Sequence, residues 1–97
     1  MNAKAIPDYV RLAELDPKNR PLAFYNLTCA YALQKENRPA LQYLEKALQS
    51  GFKDIKLMDS DTDLDNIRGE QRFQELRKGL AKKLILNNEE AQELKTL

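Results

Sequence analysis

The chain has 97 residues, 42% of them hydrophobic and 32% charged, with 16 Lys and Arg against 15 Asp and Glu, a formal charge of +1, no His and a single Cys. That is one small domain with a marginal core, and its even charge gives no reason to expect nucleic acid or an anionic membrane as partner. The absence of His removes imidazole bases and His metal sites, and one Cys excludes an internal disulfide and a cysteine-rich zinc site.

In chain order, residues 1–18 read as a short helix and a stop. Pro7 is tolerated in a first turn, Tyr9, Leu12, Ala13 and Leu15 make an apolar stripe, and Pro17 ends the helix by disfavouring helical geometry at Asp16. MNAKAIPDYV lacks the apolar run of a secretory leader, and no segment approaches the roughly 18 apolar residues of a membrane span, so the expected location is cytoplasmic.

Residues 19–52 give two amphipathic helices. Asn19 is the expected N-cap of the first, with Pro21 in its opening turn, and Phe24, Leu27 and Tyr31 recur at helical spacing beside Ala23 and Ala30. QKEN is long enough only for a tight helix-to-helix turn. Asn37 is the expected cap of the second helix, which carries Ala40, Leu44 and Ala47 and stops at Ser50-Gly51-Phe52. There Gly51 supplies a left-handed residue and Phe52 folds back.

Residues 53–83 are less regular. KDIKLM makes one or two helical turns with Ile55 and Met58 inward, Leu64 and Ile67 are hydrophobic pegs in an acidic stretch, and Phe73, Leu76 and Leu80 resume helical spacing. Asp59, Asp61, Asp63, Asp65 and Glu70 occupy the first, third, fifth, seventh and twelfth places of a calcium-loop window. Leu64 stands where that loop needs its turning glycine and Asn66 where it has an apolar residue, so a solvated acidic turn is the favoured reading over a calcium module. The basic residues Arg72, Arg77, Lys78, Lys82 and Lys83 have no interleaved aromatics and read as a solvated face. Residues 84–97 form a helical tail, either a new helix begun by Asn87 and Glu90 as a capping box or a continuation of the preceding one.

The central pair resembles the tetratricopeptide repeat, a helix-turn-helix of about 34 residues with the signature W-x2-L-G-x2-Y, then A-x3-F. Here the corresponding residues are Phe24, Leu27, Thr28 and Tyr31, then Ala40 and Leu44, with Ala47 following. The resemblance implies an all-α fold of antiparallel helix hairpins, a solenoid fragment of about five helices. It comprises an N-terminal helix, one clear repeat, a degenerate terminal unit and the tail.

It further implies a non-enzymatic scaffold or adaptor that needs no cofactor and takes a protein or peptide in a concave groove. On this chain that face carries Leu22, Tyr25, Asn26, Cys29 and Leu33, with Asn26 able to bond a ligand backbone. The chain's own terminal helices could cover the same face. With the groove open, Tyr25→Ala or Asn26→Ala weakens a partner and leaves the melting temperature nearly unchanged. Cys29 is otherwise an unreactive helix residue. A different class is self-assembly, a homodimer through the tail at Ile85, Leu86 and Leu94.

Overall fold

A computed structural model describes residues 6–96, with side chains to residue 86. The described chain is all-α: α1 (Ile6–Leu15), α2 (Arg20–Leu33), α3 (Asn37–Gln49), α4 (Ile55–Ser60), a 3-10 turn (Thr62–Leu64), α5 (Asp65–Arg68) and α6 (Gln71–Thr96). The expectation of about five helices becomes six, because the acidic stretch contributes α5 as well as the 3-10 turn. No strand occurs among the described residues.

Helix α2 is central, packed on α1 at one side, α3 at another and the 3-10 turn at a third. Small residues allow this crowding. Ala23 and Ala30 of α2, like Ala13 of α1 and Ala40 and Ala47 of α3, are almost completely buried. Small side chains let helix axes approach to about 8–10 Å. Leu44 is wholly buried between α3 and its neighbours. Toward α3 the contact is aromatic: Tyr31 stacks on Tyr43 at 5.5 Å between centroids, Phe24 lies 6.0 Å from the same ring, and the Lys46 ammonium sits 5.3 Å from it.

The helix ends depart from the sequence expectation in detail. Asn19 makes no side-chain cap bond to α2; its amide donates instead to Asp16 Oδ2 at 2.6 Å, tightening the α1–α2 connection. Asn37 is not the cap of α3 but its first residue, after Glu36. Its Nδ2 is drawn away to Asn66 O and Glu70 Oε1 at 3.3 and 3.1 Å, because α5 passes beside the start of α3. A tertiary partner has displaced a local one.

At the end of α3, Gly51 has φ +116°, Phe52 N–H donates to Ala47 O at 2.9 Å, and the Phe52 ring is buried, as Gly51-Phe52 predicts. Helix α2 ends with the same hydrogen-bond closure, Glu36 N–H to Tyr31 O at 2.9 Å and Lys35 N–H to Ala32 O at 3.0 Å. Here, however, the left-handed residue is Lys35, at φ +61°. A side chain at that position crowds its own backbone. Lys35→Gly is therefore expected to raise stability by about 0.5–1 kcal/mol, read as a higher urea midpoint at unchanged slope.

Beyond α3 the chain folds back over α2. Met58, Leu64, Ile67 and Phe73 are essentially solvent-free and join Tyr25, Cys29, Leu44 and Phe52 in one core cluster. Helix α6 then packs by Phe73, Leu76, Leu80 and Leu84 and runs unbroken through Asn87 and Asn88, so the tail continues the preceding helix. Its 26 residues span about 39 Å at 1.5 Å each.

Candidate functional site

The face of α2 expected to line a groove is divided by the structure. Tyr25 and Cys29, at its middle, are only 2% and 1% exposed. They are covered by the chain itself: the Tyr25 ring stacks on Phe52 at 4.4 Å with planes 6° apart, and Met58 and Leu64, with Phe73 and Leu80 of α6, belong to the same cluster. As open groove residues, Tyr25 and Cys29 are thus corrected to core, and with them falls the expectation that Tyr25→Ala spares the melting temperature. Leu22 and Leu33, at the two ends of that face, are 51% and 41% exposed. Asn26 lies half-buried between them, without a side-chain hydrogen bond among the described residues.

Asp61 is the residue that fastens this cover. It sits just before the 3-10 turn, and its Oδ1 accepts the Asp63 N–H at 3.0 Å. Its Oδ2 accepts the Tyr25 hydroxyl at 2.7 Å and the Cys29 thiol at 3.7 Å. Arg68 holds the adjoining backbone: Nη1 donates to Met58 O at 2.9 Å, Nη2 to Asp61 O at 2.7 Å, and the guanidinium lies 5.6 Å from the Phe73 ring centroid. Asn66 Nδ2 closes the far side on Ala32 O at 2.8 Å. The polar groups that the acidic stretch carries against α2 have thus found partners, as low-dielectric burial requires.

Electrostatically the cluster is built to keep its hydroxyl and thiol protonated. Burial pushes the Tyr25 phenol far above its ordinary range, and the accepting carboxylate of Asp61 adds to the effect. Burial, then the charges of Asp61 and Asp63, push the Cys29 thiol up to about 12. A thiol held above its ordinary value of about 8.5 favours the fold fully below that pH, and the contribution is lost as pH rises toward 12. Native Cys29 is accordingly expected to react with a disulfide reagent at pH 8 far more slowly than a free thiol, and to recover the free rate in urea. Fast labelling without denaturant, at unchanged circular dichroism, contradicts this placement.

The calcium-loop carboxylates do not wrap a common centre. The backbone there takes 3-10 and α-helical turns, and the side chains face separate partners: Asp59 takes Arg77 through bonds of 2.6 and 2.7 Å, Asp65 pairs with Arg68, and Glu70 accepts from Asn37. The Arg77 guanidinium holds the Asp59 carboxyl below the usual range, and the pair straps α4 to α6 at the surface. Cys29, Asp61 and Asp63 do bring a ligand atom each within 4.8 Å of one another. Two of the three are already joined by a hydrogen bond, with the thiol proton directed at Asp61.

Three exposed leucines at the α1–α2 corner carry more weight than their sequence spacing suggests. Leu12 and Leu15 end α1 and Leu22 lies in the first turn of α2; they are 38%, 75% and 51% exposed. Arg20 ties the two helices at this corner, its Nε donating to Ala13 O at 2.7 Å across the connection. Sequence reasoning placed Leu12 and Leu15 in one apolar stripe with Ala13, yet only Ala13 of the three is buried. Ile85 and Leu86 on α6 are 57% and 48% exposed; Leu94 lies outside the described side chains.

No family model matches this sequence, and no solved structure matches it. Among curated proteins it is similar to a chloroplastic protein of Arabidopsis thaliana, with 37% identity over 62 residues. The match covers 64% of this chain and 18% of that protein, so the chain spans less than a fifth of that relative's length. No described helix is long and apolar enough to cross a membrane.

Proposed function

We propose that this chain is a protein-interaction module of tetratricopeptide type, a scaffold or adaptor that binds a helix or extended peptide of another protein. The observation that supports this reading is the exposure of three leucines at the α1–α2 connection, Leu12 and Leu15 in the last turn of α1 and Leu22 in the first turn of α2. Apolar side chains exposed at the surface gain free energy when a partner covers them, at roughly 25 cal/mol per Å² removed from water. Asn26, one turn beyond Leu22, places a carboxamide where a partner backbone can bond it. Leu33 extends the same strip of α2.

Tyr25 and Cys29 serve this surface from beneath, by fixing the acidic stretch against α2, and do not touch the partner. The test is affinity capture followed by direct titration of the captured protein, comparing wild type with Leu15→Asp/Leu22→Asp. The expected result is loss of at least about tenfold in affinity with an unchanged melting curve. Equal affinity in the double variant refutes the surface, and a lowered melting temperature shows that the leucines belong to the fold.

A further inference from the structure

The outward face of α6 has a charge order that makes it complementary to itself. At 3.6 residues per turn, Lys78, Lys82, Ile85, Leu86, Glu89 and Glu93 fall within an arc of about 100°, opposite the arc of Phe73, Leu76, Leu80 and Leu84 that packs on the core. Lys78, Lys82, Ile85 and Leu86 are all exposed. Glu75 shares the arc but is already paired with Arg72 at 3.3 Å; from Lys78 onward the stripe reads basic, apolar, acidic along the helix.

In an isolated helix this order is unfavourable twice over. Lys78 and Lys82 are like charges four residues apart, as are Glu89 and Glu93, and such pairs repel. Glu93, in the last turn, also sits at the wrong end of the helix dipole. Neither Lys82 nor Glu89 nor Glu93 has an opposite charge three or four residues away in the sequence.

We propose that α6 pairs antiparallel with α6 of a second copy of this chain, about a two-fold axis between Ile85 and Leu86. One dyad satisfies the whole stripe: Lys78 meets Glu93 of the second copy, Lys82 meets its Glu89, and Ile85 meets its Leu86. Every pairing occurs twice, as an isologous interface demands. The repulsions within each helix become attractions between helices, the two dipoles oppose, and the exposed Ile85 and Leu86 become the dry centre. A foreign helix could cover the same apolar pair, but the charge sequence of the stripe specifies a copy of itself.

Sedimentation of the full chain tests this. Wild type at about 100 µM is expected to sediment near twice its 11.2 kDa mass. From residue 78 onward Lys78→Glu/Lys82→Glu makes the stripe wholly acidic and Glu89→Lys/Glu93→Lys makes it wholly basic; each alone should dimerise at least about tenfold more weakly than wild type. Mixed in equal amounts, the two variants should form a heterodimer. All four positions fall, by helical register, on the arc opposite the one that packs on the core, and circular dichroism checks that the fold is kept. Monomeric wild type at that concentration overturns the proposal, as does either variant dimerising as tightly as wild type, or a mixture that stays monomeric.

Discussion

Tyr25→Ala is expected to lower the unfolding free energy by about 3–5 kcal/mol, the loss of a large aromatic side chain from a packed core. The ring it removes is 2% exposed and stacked on Phe52, and small neighbours such as Ala32 and Cys29 cannot refill the space. Since small domains are stable by only about 5–15 kcal/mol, the variant stands near the limit of folding at 37 °C. The hydroxyl is separable from the ring. Tyr25→Phe keeps the stack and strips Asp61 of its shortest donor, at a cost of about 1–3 kcal/mol. A double-mutant cycle of Tyr25→Phe with Asp61→Ala should recover a coupling of about 1–2 kcal/mol. Urea unfolding followed by circular dichroism reads all three. A Tyr25→Ala protein with wild-type stability and a lost partner would restore Tyr25 to the binding surface and remove it from the core.

The fold was legible in the sequence wherever periodicity and helix-end chemistry act locally. Phe24, Leu27 and Tyr31 against Ala40, Leu44 and Ala47 specify a close helix pair, and Gly51-Phe52 specifies how the second helix stops. Even the irregular acidic stretch declared its buried members, since Met58, Leu64 and Ile67 are large and apolar and all three are solvent-free. What spacing could not show is the partner of each polar group. Asp61 lies 36 residues from Tyr25 and 32 from Cys29, and nothing local ties them.

One signal was present. A tyrosine buried in a helix pair needs an acceptor for its hydroxyl, and the segment holding Asp61 and Leu64 can deliver a carboxylate while still burying apolar pegs. The same long-range demand explains Asn37, which gave up its capping role when α5 and its following turn offered a carbonyl and a carboxylate. The α1–α2 corner failed for the opposite reason. Helical period says which residues share a face, but only neighbouring elements decide whether that face is covered, and nothing among the described residues covers Leu15.

Arg68→Ala is expected to cost about 3 kcal/mol and to act on one part of the molecule. The guanidinium donates to the carbonyls of Met58 and Asp61, and its plane rests near the Phe73 ring. Charge-assisted bonds of this kind contribute about 1.5–3 kcal/mol each, and partial exposure of the side chain lowers their sum. The exposed pair with Asp65 adds little. Arg68→Lys keeps the charge but offers one ammonium in place of a planar fork, so it should recover less than half of the loss. Because both carbonyls belong to the segment that covers Tyr25 and Cys29, the damage should appear first as local opening. Amide exchange should quicken over residues 54–66 before it does in α2 and α3, and Cys29 should label faster at pH 8 in the Arg68→Ala protein than in wild type. Uniform acceleration across all helices would instead mean that the cover and the hairpin unfold as a single unit, with Arg68 fastening the whole.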